Sequence, residues 1–205
     1  MTDKEYLRNL RTPTKSAPLR ILTSSCLVGT NCGVDGTNYG EYPSVLKLLE
    51  YSNVVLIPFC PEDFAFGTPR EMCDIHGGTG LDVLNGKAKV LTESGKDWTE
   101  GMIQASLKML EIAKREKVEL CVMMDISAAC GSQVIYLGNR KVENPIYQIG
   151  MGVCAAQLEK HDFKVISQRD FESLEILYSR IDPGHVPNTS AKDHDQNDWY
   201  LNYFD

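Results

Sequence analysis

Short, continuous apolar runs alternate along most of this chain with segments that have helical spacing. The apolar runs lie at residues 19–23, 53–59, 118–124 and 163–167, and the helical segments lie at residues 43–49, 99–117, 150–161 and 171–180. A continuous apolar run predicts a strand buried on both faces, and helices between such strands are the usual connections in a parallel sheet. The alternation therefore predicts an α/β fold: a single three-layer, Rossmann-like domain with a mainly parallel sheet.

The two ends of the chain do not follow this alternation. We predict an N-terminal arm at residues 1–18, one domain at residues 19–181 and a C-terminal extension at residues 182–205. The extension ends in several aromatic residues, which we expect to dock on the body of the protein or on a second subunit of a homo-oligomer. Within the domain, residues 61–96 are rich in turn formers and indicate a functional insertion, with one edge strand at residues 87–92.

Charge and hydropathy restrict the partners of the protein. The chain has 205 residues with 28 acidic and 21 basic side chains, which gives a formal net charge of −7. Binding to a nucleic-acid polymer depends largely on neutralising phosphates with Lys and Arg, so an acidic chain argues against such a partner. The longest apolar run, residues 54–60, is far shorter than the roughly 20 residues that span a bilayer, and no secretory signal is evident. We expect a cytoplasmic protein that binds a small molecule and no membrane.

Cysteines are the most informative residues for function. There are seven, an odd number that argues against a framework of disulfides in a reducing compartment. Three of them, Cys26, Cys60 and Cys130, come at or just beyond the carboxyl ends of predicted strands. Because ligands of open parallel sheets bind outside those ends, we expect the three thiols to meet in one pocket. The pattern indicates a metal, cluster or catalytic site.

The other cysteines are interpreted differently. Cys121 lies within a strand run and Cys154 lies on a small-residue helix face, so both are predicted to be packing residues. Cys73 is predicted to be structural. Cys32 lies close to Cys26 in a glycine-rich loop, where it could serve as a fourth ligand or as a redox partner.

Several motifs follow one another in a specific order between residues 20 and 168. They are Ser24-Ser25-Cys26-Leu27-Val28-Gly29, Cys32, Asp35-Gly36, Cys60-Pro61-Glu62, Thr68-Pro69-Arg70, Gly77-Gly78, Ser127-Ala128-Ala129-Cys130-Gly131 and Gly150-Met151-Gly152-Val153. In this order they resemble the bacterial family catalogued as domain of unknown function 523, whose members include thiouracil desulfidases. Any one of these motifs alone would be weak evidence, but their combination is specific.

The resemblance implies a 4Fe-4S cluster held by Cys26, Cys60 and Cys130, with one iron that has no protein ligand. Such an iron is a Lewis acid with affinity for soft sulfur, and it could bind the thiocarbonyl sulfur of a thiolated pyrimidine. Water would then replace the sulfur in a formal hydrolysis. The implied activity is a non-redox desulfidase that converts a thiolated base or nucleoside to the oxo form and releases sulfide.

The resemblance also implies roles for residues near the cysteines. Glu62 resembles the acidic catalytic residue of the family, although a carboxylate at this position could instead cap a helix. Ser127 resembles the serine that orients water or substrate, although it could simply form a turn. Arg70, His76 and Gly131 are candidate substrate-binding residues. Arg70 could pair with a carboxylate or with the substrate, and a surface salt bridge is its alternative. His76 could instead be a solvated loop residue.

The substrate pocket departs from the family pattern in three places. The family often has Arg-Tyr where this chain has Gly33-Val34, Ser-Pro-Ser-Cys where it has Ser127-Ala128-Ala129-Cys130, and Lys near the position of Met124. The ligand cysteines are retained, so these departures affect the expected substrate more than the expected cluster.

Two other hypotheses remain open from the sequence. Cys130 could be a nucleophile activated by His76 in a metal-free hydrolase. Alternatively, the protein could carry a cluster or sulfur to a partner without turning over any thiolated pyrimidine.

Overall fold

Strands and helices alternate along the structure, a computed structural model that describes residues 3–38 and 42–204. The strands are β1 (Leu19–Ser24), β2 (Val54–Phe59), β3 (Cys73–His76), β4 (Lys89–Thr92), β5 (Leu120–Met123), β6 (Val134–Tyr136), β7 (Tyr147–Ile149) and β8 (Val165–Ser167). The α-helices are α1 (Asp3–Asn9), α2 (Pro43–Leu46), α3 (Pro61–Phe66), α4 (Gly80–Leu84), α5 (Thr99–Arg115), α6 (Val153–Glu159), α7 (Phe171–Ile181) and α8 (Asp198–Phe204). Short 3-10 helices lie at Ser25–Val28, Lys47–Glu50 and His194–Gln196. Among the residues described, no helix is long and apolar enough to cross a bilayer.

Four parallel strands form the main sheet, in the order β2-β1-β5-β8. All four coincide with the apolar runs of the sequence, and the pairing places Ile21 of β1 between Leu56 of β2 and Leu120 of β5. The strand order reverses between β1 and β5, since the chain continues from β1 to β2 on one side and from β5 to β8 on the other. In doubly wound α/β folds such a reversal leaves a crevice outside the carboxyl ends of the strands.

Side chains of the sheet alternate between two hydrophobic clusters, one on each face. Ile21 and Val122 belong to the cluster that includes α1, α2 and α7. Leu22 and Cys121 belong to the cluster that includes α5 and α6. Because helices cover both faces, β1, β5 and β8 are buried almost throughout, while the edge strand β2 is only partly buried. Burial on two sides explains the continuous apolar runs. The predicted α/β fold with a mainly parallel sheet is confirmed.

Two antiparallel hairpins lie outside the main sheet. β3 pairs with β4, and β6 pairs with β7. The strand predicted at residues 87–92 is β4, but its partner β3 and the short helices α3 and α4 lie where the sequence indicated mainly turns. The hairpin β6-β7 lies in a region where no strand was predicted from the sequence.

Both ends of the described chain pack onto the domain. Leu7 of α1 is fully buried among residues of α7, so the segment predicted as an arm contributes to a hydrophobic cluster. At the other end, the Tyr203 hydroxyl accepts a hydrogen bond from the backbone N–H of Tyr147 at 2.9 Å. The Trp199 ring packs edge-on against Tyr147, with 5.1 Å between ring centroids. The C-terminal extension thus docks on its own chain. The division into residues 1–18, 19–181 and 182–205 stays a prediction, as does a homo-oligomer that forms through the extension.

Candidate active site

A cavity of about 320 Å³ lies at the carboxyl ends of β1, β2 and β5. Its wall contains Cys26, which follows β1, Cys60, which follows β2, and Cys130, which lies in the turn after β5. Three thiols that are far apart in the sequence therefore line the same cavity. Cys32 and Cys73 also line it, and the role of any of these residues as a ligand stays a prediction.

Local backbone structure positions each of the three strand-end cysteines. Cys26 lies in the 3-10 helix that follows β1 directly. Cys60 is the N-cap residue of α3, and its Sγ accepts a hydrogen bond from the backbone N–H of Asp63 at 3.4 Å. The backbone N–H of Cys130 donates to Ser127 Oγ at 3.1 Å. Each thiol is thus held at a strand end by a helix start or a tight turn.

Cys32 lies between two of these thiols. The pKa of Cys32 is raised to about 11, mainly because its side chain hydrogen-bonds Cys26. The hydrogen bond with Cys60 lowers this pKa, and burial raises it further. The hydrogen bond with Cys32, followed by burial, raises the pKa of Cys60. Burial also raises the pKa of Cys130, against a hydrogen bond with Ser24. A metal ligand must be the thiolate, so these neutral thiols would need the positive charge of bound metal to ionise.

The donor chemistry of the cavity can be compared with that of an iron-sulfur cluster. Within residues 3–38 and 42–204, no group of three or more His, Cys, Asp or Glu side chains is arranged to hold a metal ion. The ligands of an iron-sulfur cluster are cysteine thiolates, and each binds a different iron. Several soft sulfur donors spread around one cavity therefore fit an iron-sulfur cluster.

Glu62 and Arg70 form an ion pair in the cavity wall. Arg70 Nη2 donates to Glu62 Oε2 at 2.8 Å, and the side chains are 3% and 18% exposed. Arg70 Nη1 donates to the Cys32 carbonyl at 2.9 Å and to Thr68 Oγ1 at 3.0 Å. Arg70 thus pairs with a carboxylate, one of the roles considered from the sequence, and its side chain is buried rather than on the surface. Its role in substrate binding stays a prediction.

Ser127 lines the cavity, and its hydroxyl also accepts the backbone N–H groups of Ala129 and Cys130. His76 and Gly131 are not among the residues of the cavity wall. His76 ends β3, and its Nε2 is buried with no hydrogen-bond partner in the described part of the chain. A Cβ at Gly131 would lie 2.8 Å from the Ser127 carbonyl oxygen, so this glycine permits the tight turn around Cys130.

A second group of cavity residues was not predicted from the sequence. Arg140 donates to Asp74 Oδ1 from Nη2 at 2.6 Å and from Nε at 2.8 Å, and its guanidinium lies 4.4 Å from the Tyr136 ring centroid. Tyr136 and Tyr147 share a hydrogen bond of 3.1 Å between their hydroxyls. Burial and this hydrogen bond raise the pKa of Tyr136 to about 12. The hairpin β6-β7 therefore supplies a neutral aromatic wall, and no sequence motif marks it.

Asp125 is a buried carboxylate that lies two residues beyond the end of β5 and lines the cavity. His194 Nδ1 lies 2.6 Å from Asp125 Oδ2, and both side chains are 0% exposed. Burial alone would raise the pKa of Asp125, but His194 and backbone N–H groups lower it. Its position at a strand end is the same signal that identified the cysteines and could have identified this residue as well.

The fold and the cavity define a doubly wound α/β protein with a thiol-lined ligand site where the strand order reverses. The chain belongs to the 2-thiouracil desulfurase family, whose model matches residues 21–170. The family predicted from the motifs is confirmed.

Two relatives illustrate the similarity. The uncharacterized protein YbbK of Bacillus subtilis (strain 168) is 37% identical over 158 residues, which is 75% of this chain and 99% of YbbK. A solved structure described as the 4Fe-4S-dependent thiouracil desulfidase TudS, of the domain of unknown function 523, is 26% identical. That match covers 80% of this chain and 99% of TudS, with a TM-score of 0.65.

Proposed function

We propose that this protein is an iron-sulfur cluster-dependent desulfidase that converts a thiolated pyrimidine base or nucleoside to its oxo form. The observation that carries the proposal is the common cavity of Cys26, Cys60 and Cys130, next to the Glu62–Arg70 pair. Membership of the 2-thiouracil desulfurase family and the likeness to TudS support it.

Cys26, Cys60 and Cys130 would hold the 4Fe-4S cluster. When bound through three cysteines, such a cluster supplies an iron without a protein ligand, a Lewis acid that polarises a thiocarbonyl. The overall reaction breaks one C–S bond, forms one C–O bond from water and releases hydrogen sulfide. Carbon keeps its oxidation state, so the protein needs to move protons and to exclude side reactions but needs no external reductant.

We assign the proton transfer to Glu62. One of its carboxylate oxygens is held by Arg70, which fixes the direction of the carboxylate in the cavity wall. In this role Glu62 accepts a proton from the attacking water and returns one to the leaving sulfur. A positioned general acid-base group contributes about 10²–10⁴-fold to a rate, which is the scale of effect we assign to it. Ser127 would orient the water or the substrate through its hydroxyl.

The cavity suits a small, planar substrate. Its volume of about 320 Å³ is at the small end of ligand pockets, and Tyr136 and Tyr147 give it an aromatic side. The net charge of −7 favours a free base or nucleoside over a nucleic-acid polymer. Because sulfur chemistry of this kind needs reduced thiols, we propose a cytoplasmic location.

The competing enzyme hypothesis, Cys130 activated by His76, gains no support from the site. Cys130 lines the cavity, whereas His76 is not part of its wall. The hypothesis that the protein carries a cluster or sulfur to a partner has no specific observation in its favour. An assay of sulfide release distinguishes it from the proposed desulfidase.

The test is an anaerobic assay of the full chain. The protein is reconstituted with iron and sulfide, its iron content is measured, and sulfide release is followed with 2-thiouracil and with 4-thiouridine. We expect iron-loaded protein to release one sulfide per oxo product formed, and Glu62→Gln to be slower by about 10²-fold or more. Glu111→Gln, which changes a half-exposed carboxylate on α5, is the matched control. Iron-loaded protein without turnover would favour the carrier, and full activity without iron would favour a cysteine nucleophile; either result would overturn the proposal.

A further inference from the structure

One histidine of the C-terminal extension, His194, is buried in the interior of the domain. His194 is 0% exposed, and its Nδ1 lies 2.6 Å from Asp125 Oδ2. Its ring stacks on Trp199 of α8 at 5.4 Å, with an angle of 8° between the ring planes. The backbone N–H of His194 also donates to Asp170 at 3.1 Å. The contact joins a residue of the extension to a carboxylate in the cavity wall.

Asp125 in turn fixes the backbone that follows Cys130. Its Oδ1 accepts the N–H groups of Ser132 at 3.0 Å, Gln133 at 3.2 Å and Val134 at 3.2 Å. With Oδ1 occupied by the loop, Oδ2 is the oxygen that pairs with His194. A buried carboxylate needs several donors to stay charged, so loss of the histidine would weaken the group that holds this loop.

A second contact ties the extension to the opposite side of the cavity. Tyr203 accepts the backbone N–H of Tyr147 at 2.9 Å, and the two rings pack edge-on at 5.4 Å. Trp199 also packs on Tyr147, which shares a hydrogen bond with Tyr136. Both tyrosines line the cavity. The extension therefore contacts the aromatic wall as well as the Cys130 side.

These contacts come from outside the part of the chain that the family model matches, which ends at residue 170. We infer that His194 and α8 form a positioning element of this active site: His194 fixes Asp125 and thereby the turn that carries Cys130, while Trp199 and Tyr203 fix Tyr147. The kinetic consequence rests on the proposed function, whereas the coupling of the extension to the two sides of the cavity does not.

A merely stabilising extension would predict a different response. If His194 only added stability, its loss would increase hydrogen exchange over the whole domain. If it acts through Asp125, exchange increases locally, at the N–H groups of Ser132, Gln133 and Val134, while the main sheet stays protected. The Nδ2 of an asparagine side chain can occupy the place of the histidine Nδ1, so Asn should restore the contact where Ala cannot.

The experiment measures hydrogen exchange by mass spectrometry on the full chain with His194→Ala, His194→Asn and Tyr203→Phe. We expect exchange of the peptide spanning Ser132 to Val134 to accelerate by about tenfold or more in H194A and to stay near wild type in H194N. Y203F keeps the ring and removes the acceptor of the Tyr147 N–H, so the peptide containing Tyr147 should accelerate alone. His185→Ala is the matched control, because it breaks a second histidine–carboxylate pair of the extension, with Glu175, that does not line the cavity.

Kinetics provide the second readout. With 2-thiouracil, H194A should lose about tenfold in kcat with little change in KM, and H194N should recover most of the loss. Unchanged exchange at residues 132–134 in H194A, or equal acceleration across the main sheet, would overturn the inference. If the wild-type protein turns over no thiolated pyrimidine but the local exchange pattern is seen, the proposed function fails and the structural coupling stands.

Discussion

Arg70 joins Glu62 to the Cys32 loop through one guanidinium group. It donates to Glu62 Oε2 at 2.8 Å and to the Cys32 carbonyl at 2.9 Å, and it is almost fully buried. A guanidinium can serve two acceptors at once with fixed geometry, whereas an ammonium is a point charge. The direction of the Glu62 carboxylate is therefore set by a residue eight positions further along the chain.

Arg70→Lys should lower kcat by about tenfold or more, because lysine keeps the charge but cannot hold both acceptors in the same geometry. If Arg70 acts through Glu62, the same substitution should cost much less in a Glu62→Gln background. The measurement is kcat and KM of the two single variants and the double variant. Equal losses in both backgrounds would contradict a role through Glu62, and Arg115→Lys on the exposed side of α5 serves as the control.

Gly152→Ala should destabilise the turn that carries Cys130. A Cβ at this position would lie 2.6 Å from the Ser127 carbonyl oxygen and 2.6 Å from the carbonyl carbon of Ala129, and backbone atoms cannot move aside as a flexible side chain can. We expect a loss of about 1–3 kcal/mol in the free energy of unfolding, measured by urea denaturation. Gly184→Ala is the control, since its nearest neighbour is the side-chain oxygen of Asp182 at 3.3 Å. Equal stabilities of G152A and G184A would contradict this close approach.

Asp170 should make stability depend on pH in a defined direction. Burial raises the pKa of Asp170 to about 6, against hydrogen bonds from Ser167, His194 and Gln133. A carboxyl with a raised pKa binds its proton more tightly in the folded state, so its contribution is complete below the unfolded pKa. That contribution is lost as pH rises from about 4 to about 6.

Asp170→Asn removes this titration while keeping one acceptor oxygen. Between pH 4 and pH 7, the free energy of unfolding of the wild type should fall relative to D170N. The fall should be roughly 3 kcal/mol, since a tenfold change in proton affinity is worth about 1.36 kcal/mol. Urea titrations of both proteins across this range give the difference. A constant difference, or one that grows in favour of the wild type, would contradict the assignment.

Cys32→Ser should keep the iron content of the protein. Cys32 hydrogen-bonds Cys26 and Cys60 and lines the cavity, but the proposed ligand set does not include it. Its loss removes contacts to two ligand thiols, so we expect kcat to change by less than about tenfold while iron content stays at the wild-type value. Loss of iron from C32S would identify Cys32 as a fourth ligand and contradict the three-cysteine assignment.

The apolar runs predicted the main sheet because its inner strands are buried on both faces, as at Ile21 and Leu22 of β1. The same argument anticipated a common cavity for Cys26, Cys60 and Cys130, since strand ends meet at one edge of a sheet. It did not anticipate β3, which is short and contains the charged residue Asp74. That aspartate is buried only because Arg140, 66 residues away, pairs with it.

Other features of the candidate site depend on polar pairs between residues far apart in the chain, which could not be predicted from the sequence. Asp125 and His194 lie 69 positions apart, and nothing in the local pattern of either residue indicates the other. The extension also has too few apolar residues at regular spacing to predict helix α8 or its docking on Tyr147. The glycines of the Gly150-Met151-Gly152-Val153 motif were recognisable only as a pattern. The structure supplies a reason for each: Gly152 lies against the backbone of the Cys130 turn, and a Cβ at Gly150 would lie 2.6 Å from Thr79 Cγ2.

The most direct test of the central claim is the iron content of cysteine variants after identical anaerobic reconstitution. Wild type and Cys121→Ser, which alters a fully buried packing cysteine, should contain about four iron atoms per chain. Cys26→Ser, Cys60→Ser and Cys130→Ser should each lose most of that iron and the desulfidase activity with it. Wild-type iron content in any of these three variants would contradict the proposed cluster site.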